Sequence, residues 1–166
     1  MANAATLQIR AVDDCDIEMV RTFNAPAHMV WDAHTKPDLV RRWLLGPDGW
    51  TMPVCEIDLR VGGRYRYVWR KVTKSNEVKE MAMGGEFREI TPHTRIVNTE
   101  RPDEPWYPGE SLNTTRFDEV DGRTTVTLTM HLPTREARDG VIATGMASGV
   151  ETSYARLDAM LAEGAS

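Results

Sequence analysis

The chain has 166 residues, 25 acidic side chains against 20 basic, a formal net charge of −5 and 41% apolar residues. One domain with a sizeable core is expected at that length, and the acidic balance argues against non-specific nucleic-acid binding and a polybasic membrane surface. No stretch approaches the roughly 20 apolar residues that span a bilayer, and Met1 to Arg10 lacks a basic region followed by an apolar run, so a soluble, cytoplasmic chain without membrane insertion is expected.

Residues 1–15 have no clear period and read as a flexible N-terminal arm or short edge strand ahead of a single domain at 16–163. Asp16 to Phe23 puts Ile17, Met19, Arg21 and Phe23 on one face, the alternation of a strand. Asn24-Ala-Pro26 ends it. Asn24 is placed to cap a helix over Ala27 to Thr35, with Met29, Val30 and Ala33 inward. Lys36-Pro37-Asp38 breaks that helix, and Leu39 to Leu44 forms a second short one. After the turn cluster Gly46-Pro47-Asp48-Gly49, strands are expected at Val54 to Leu59 and at Arg64 to Arg70. The latter alternates strongly, with Tyr65, Tyr67 and Trp69 on one face and Arg64, Arg66 and Arg70 on the other.

Lys74 to Lys79 is a polar hairpin tip. The next strand, Glu80 to Ile90, has Met81, Met83, Gly85 and Phe87 on one face, and Ile90 breaks the alternation as a bend or bulge would. Strands follow at Arg95 to Arg101, Ser111 to Asp118 and Thr124 to Leu132. Asp121-Gly122 is a two-residue hairpin turn between the last two. In the last strand Val126, Leu128, Met130 and Leu132 face inward and the threonines outward. Pro102 to Gly109 is a proline-rich loop carrying Trp106 and Tyr107.

Arg135 to Ala162 reads as one long helix whose apolar stripe is Ile142, Met146, Val150, Tyr154, Leu157 and Leu161. Asp139-Gly140 lies in its first turns, so regular helix can begin as late as Val141. Gly145, Gly149 and Ser153 form a lane of small residues beside the stripe. Such a helix either approaches a sheet closely or leaves a hole above it. The element order therefore defines an α+β fold. A curved antiparallel sheet of about six to seven strands wraps on the C-terminal helix, with two short helices after the first strand.

Several motifs resemble the SRPBCC, or START-like, helix-grip superfamily. They are Phe23-Asn-Ala-Pro26 with Val30-Trp31, Pro37 to Trp43, Asp58-Leu-Arg-Val-Gly-Gly-Arg64, Gly85-Glu-Phe-Arg-Glu-Ile-Thr-Pro92, Arg95-Ile96 and Gly145-Met146. Within it, the chain is similar to small bacterial proteins like the C-terminal domain of the heat-shock-protein-90 ATPase activator. The resemblance covers Asp16 to Leu161 and implies a cavity between sheet and terminal helix. Similar members often carry Gly-Trp before the last helical turns, whereas this chain has Gly149-Val150, a change that would enlarge or reshape the cavity.

The side chains expected to line that cavity are Trp43, Tyr67, Trp69, Met83, Phe87, Thr115, Met130, Met146, Val150 and Tyr154. Trp43 and Trp106 are placed near its mouths, and Trp106-Tyr107 form a candidate lid; the alternative is an ordinary core and a pinned loop. Methionines on facing elements suit an adaptable apolar surface. Glu86, Arg88, Glu100 and Arg66 are the acid–base candidates. Their role requires one carboxylate to be buried and shifted; otherwise Glu86, Arg88 and Arg66 form a surface charge ladder. No catalytic residue is assigned. His28, His34, His93 and His131 form no metal-ligand spacing, and no phosphate-loop or dinucleotide fingerprint occurs, so neither metal nor cofactor is expected. His131 should face outward. Cys15 and Cys55 are read as free thiols.

Three functions are open. The first is binding of a small apolar or aromatic molecule in the cavity. The second is a small-molecule cyclase, hydrolase or isomerase using the same cavity. The third, implied by the resemblance, is a chaperone-ATPase-activating partner module, ranked last. A homodimer through the outer sheet face is a further option.

Overall fold

The computed structural model describes residues 6–105 and 107–164. Eight strands form one antiparallel sheet in the order β1-β2-β8-β7-β6-β5-β4-β3. They are β1 (Gln8–Val12), β2 (Asp16–Phe23), β3 (Trp50–Ile57), β4 (Arg64–Val72), β5 (Val78–Thr91), β6 (Arg95–Pro102), β7 (Ser111–Val120) and β8 (Arg123–His131). Helices α1 (Ala27–Thr35) and α2 (Pro37–Trp43) follow β2, and α3 (Arg135–Ala143) and α4 (Met146–Ala162) close the chain. The sheet is a meander from β3 to β8, and β2 then pairs β8 from Asp16↔His131 to Phe23↔Thr124. This is the expected helix-grip arrangement with one strand more. The extra strand is the segment read as an arm or edge strand: residues 8–12 pair with β2, Gln8 opposite Val20.

Alternation explains most of the sheet. In β2 every second residue is buried, from Ile17 to Phe23. The bulge expected late in β5 is present as a register shift between Phe87 and Glu89. A second irregularity lies between Thr51 and Val54 of β3, where Pro53 has no N–H to give the ladder. Asp121 and Gly122 both have positive φ, 53° and 76°, as a type I′ hairpin requires. Thr124 departs from the outward rule for threonines. It shares the inward parity of Val126, is fully buried, and donates its hydroxyl to Ala25 O at 2.8 Å.

Helix α1 has the expected bounds but not the expected cap. Pro26 occupies the cap position and makes no side-chain cap bond. Instead, Glu119 at the end of β7 accepts from Ala27 N at 2.6 Å, so an acceptor distant in sequence satisfies an orphan N–H.

The C-terminal segment is two helices, not one. Gly145 adopts φ 75° and separates α3 from α4. A left-handed residue halts a right-handed helix, and glycine bears it without a Cβ clash. Regular helix begins at Arg135 rather than as late as Val141, and the break at Gly145 moves the apolar stripe. Ile142 is exposed while its neighbour Val141 is buried. Thr134 caps α3, its side chain accepting from Ala137 N.

Helix α4 lies across the sheet through Tyr154, Leu157, Met160 and Leu161, which join Phe23, Val30, Trp31, Trp43, Phe117 and Val126 in one buried cluster. Gly149 and Ser153 admit the loop after α2. A Cβ on Gly149 would sit 3.5 Å from Pro47 Cδ, and Ser153 Oγ accepts from Gly46 N at 2.8 Å. The small-residue lane therefore seats a loop on the helix. No described helix is long and apolar enough to cross a membrane.

Candidate functional site

Between sheet and α4 the side chains do not meet everywhere. A cavity of about 550 Å3 remains, within the range of small-molecule sites, roughly 300–1,000 Å3. All ten expected lining residues, Trp43, Tyr67, Trp69, Met83, Phe87, Thr115, Met130, Met146, Val150 and Tyr154, border it. Six of them lie on strands, each of which sends one parity of side chains to the concave face, and Trp43, Met146, Val150 and Tyr154 come from α2 and α4. Pro47 and Met81 also border the cavity and are exposed, marking its open end.

Trp43 is not at a mouth. It is 2% exposed, donates Nε1–H to Ala33 O at 2.8 Å, and stacks on Tyr154 at 5.8 Å. Trp69 donates Nε1–H to Leu44 O at 2.7 Å. Both indoles thus place their N–H on backbone and leave ring surface as wall. Tyr107 is a buried wall residue beside Met19, Met130 and Leu132; Trp106, the other half of the candidate lid, lies outside the described residues.

The wall is not uniformly apolar. On β6, Ile96, Asn98, Glu100 and Pro102 share the inward parity and all border the cavity. Glu100 is half-buried and borders the cavity. Asn113 Nδ2 donates to its Oε2 at 3.1 Å, and Ser111 Oγ in turn donates to Asn113 Oδ1 at 3.0 Å. Burial pushes the Glu100 carboxyl up to about 7, opposed by the Asn113 hydrogen bond. Burial also raises the hydroxyls of Tyr65, Tyr67 and Tyr107, with the Glu100 charge adding to each.

A glycine permits this end of the cavity. Tyr65 pairs Gly85 across the β4–β5 ladder. With no side chain on Gly85, Tyr65 reaches β6, its hydroxyl donating to Thr99 O at 2.6 Å and accepting from Asn98 Nδ2 at 3.0 Å. A Cβ on Gly85 would lie 1.9 Å from that same Thr99 carbonyl oxygen.

His34 is the other titratable group at the cavity. Its Nδ1 lies 2.7 Å from Val30 O and its ring packs on Trp43 and Phe117. The carbonyl can only accept, so Nδ1 carries the proton and Nε2 is left as an acceptor. Burial lowers His34 to about 4. A folded-state value below the unfolded one means that neutral His34 adds stability above pH 6.5, lost as pH falls through 4. His34→Gln should remove about 3 kcal/mol of this acid sensitivity. Denaturant midpoints of both proteins, followed from neutral pH down to about 4, measure the difference in slope.

The remaining acid–base candidates lie elsewhere. Arg66 does not pair with Glu86 or Arg88; it meets Asp103 bidentately at 3.1 and 2.7 Å on the exposed face. Arg88 lies 3.6 Å from Glu86. These are surface pairs of small energetic weight. His131 is exposed, 2.6 Å from Asp16 Oδ1. Cys15 and Cys55 are free thiols. Among the described residues no cluster of three or more His, Cys, Asp or Glu could hold a metal.

Alternation would also have found Asn98 and Asn113, which lie two residues from Glu100 and Thr115. His34 had no such signal, because its position depends on how α1 packs.

A curved antiparallel sheet closed by a C-terminal helix over a partly polar cavity defines a helix-grip protein. The Activator of Hsp90 ATPase homolog 1-like family matches residues 24–162, and the chain belongs to that family. Among solved structures, a protein from Rhodobacter sphaeroides is similar at 32% identity and TM-score 0.86, over 95% of this chain and 99% of that one. A Mycobacterium smegmatis protein shares the fold at 22% identity and TM-score 0.79, covering 93% and 95% of the two chains. An Hsp90 activator from Plasmodium falciparum shares it at 20% identity and TM-score 0.64, covering 89% and 96%. No curated protein matches the chain.

Proposed function

We propose that this protein binds a small apolar or aromatic molecule in the cavity between sheet and α4. The observation that carries this is a space of about 550 Å3 walled by tryptophan, tyrosine, phenylalanine and methionine. Burial of the ligand's apolar surface would drive affinity at about 25 cal/mol per Å2, before ordering costs. Native mass spectrometry of freshly purified protein tests for a co-purified small molecule.

Val150 is partly buried and borders the cavity. Val150→Trp should fill part of the void and weaken binding at least tenfold, about 1.4 kcal/mol. Calorimetric titration compares the two proteins, and unchanged affinity would place the ligand elsewhere.

A second reading, that the cavity is catalytic, is favoured by Glu100. An enclosed carboxyl that titrates near neutrality is suited to moving a proton to and from a bound molecule. Turnover that disappears in Glu100→Gln with binding retained would support it. The activator role named for the Plasmodium falciparum structure comes third. Stimulation of a host chaperone's ATPase tests it, and no stimulation removes it.

A further inference from the structure

The inference concerns the chemistry of the occupant and rests on the cavity reading above. We propose that the cavity takes an amine: an apolar, preferably aromatic body carrying one protonated nitrogen, which pairs with Glu100.

The first ground is charge. Among the described residues that line the cavity, Glu100 is the only carboxylate, and there is no lysine or arginine. His34 adds no positive charge, because burial keeps it neutral. A carboxylate enclosed without a cation is costly, and a cationic guest supplies the missing partner.

The second ground is orientation. The Ser111–Asn113 relay holds Oε2, and among the described residues Oε1 has no hydrogen-bond partner. A fixed carboxyl with one unpartnered oxygen presents an acceptor to whatever fills the void. An ammonium both donates to it and neutralises it, a hydroxyl only donates, and an anion would be repelled.

The third ground is the wall between Glu100 and the open end. Tyr65, Tyr67 and Trp69 follow one another along β4, with ring centroids 5.1 and 5.8 Å apart. Their ring surface suits an aromatic body and favours a cation near it.

Binding then couples to a proton. Near neutral pH part of the protein carries Glu100 as the neutral acid. The arriving ammonium favours the carboxylate, so the carboxyl proton leaves to solvent while the ligand keeps its own.

The test uses three matched probes, naphthylethylamine, naphthylethanol and naphthylacetate, titrated calorimetrically into the wild-type chain and Glu100→Gln at about pH 8. The amine should bind wild type at least tenfold tighter than the alcohol, with the carboxylate weakest, and Glu100→Gln should abolish the preference. Near-UV circular dichroism checks that the variant keeps its packing. A measurement on wild type alone stands beside it: close to pH 7, amine binding should release protons, seen as a dependence of the heat on buffer ionisation enthalpy, and alcohol binding should not.

If amine and alcohol bind equally and Val150→Trp weakens both, the amine assignment is overturned while the cavity reading survives. A preference for the carboxylate, or an amine preference that persists in Glu100→Gln, also overturns the assignment. If none of the three binds, the cavity reading falls with it.

Discussion

Glu100→Gln is expected to raise the free energy of unfolding by about 3 kcal/mol near pH 8 and to change it little near pH 4. The cause is enclosure of a carboxyl that titrates at about 7 in the fold but near 4.3 in an unfolded chain. A folded-state value above the unfolded one means the group's stabilising contribution is complete below the unfolded value. It declines as pH rises to about 7 and is gone above it. Glutamine keeps the shape and can accept the Asn113 N–H, but it cannot ionise.

His34 runs the other way over nearly the same range, because its folded value is lowered to about 4. The two contributions oppose each other between about pH 4.5 and 6.5. Wild type should therefore be flatter there than either variant. Glu100→Gln should become more stable with rising pH relative to wild type, and His34→Gln less so. Urea unfolding across that range reads both slopes, and parallel profiles for all three proteins would show that neither group is enclosed.

The second large effect is expected at Arg21, on the inner face of β2. Its side chain is 2% exposed yet charged, with Asp158 at 2.5 Å and Glu151 at 3.6 Å on α4. Its guanidinium also lies 5.0 Å from the Phe23 ring. The pairing ties the last helix to the second strand. Asp158→Ala should lower stability by about 3 kcal/mol, because it leaves a desolvated cation with only Glu151 at 3.6 Å and the Thr22 carbonyl at 3.0 Å as partners. Arg21→Met should be milder, since a flexible apolar chain of similar length leaves no buried charge, and it removes Nε, a buried nitrogen without a partner. Combining the two should cost little more than Arg21→Met alone. Denaturant midpoints of the three variants give that coupling, and strict additivity would refute it.

These residues mark where sequence reading succeeds and where it stops. The faces of β2, β4, β5 and β8 follow from a period of two, which needs only local geometry. That period placed six side chains, Tyr67, Trp69, Met83, Phe87, Thr115 and Met130, on inward strand faces before any packing was known, because a strand with one inward face constrains every second residue. Glu100 was legible as an acid–base candidate, but Glu86 and Arg88 looked equally suited. Only the curvature of the sheet and the cover of α4 enclose one and leave the others in water.

Other features depend on contacts between residues far apart in the chain. Glu119 rather than Asn24 caps α1, since the end of β7 delivers a carboxylate there. Residues 8–12 become a strand because β2 offers them an edge. The segment expected as one helix breaks at Gly145, and the break exposes Ile142 while burying Val141. The amino-acid sequence by itself determined the family, the order of elements and which parity of each strand turns inward, because all three rest on local patterns. The tertiary structure decided that the inward faces do not close on one another, and that one carboxyl and one imidazole lie at the remaining space. Desolvation and cavity volume are sums over many non-local neighbours, and no single stretch of chain encodes them.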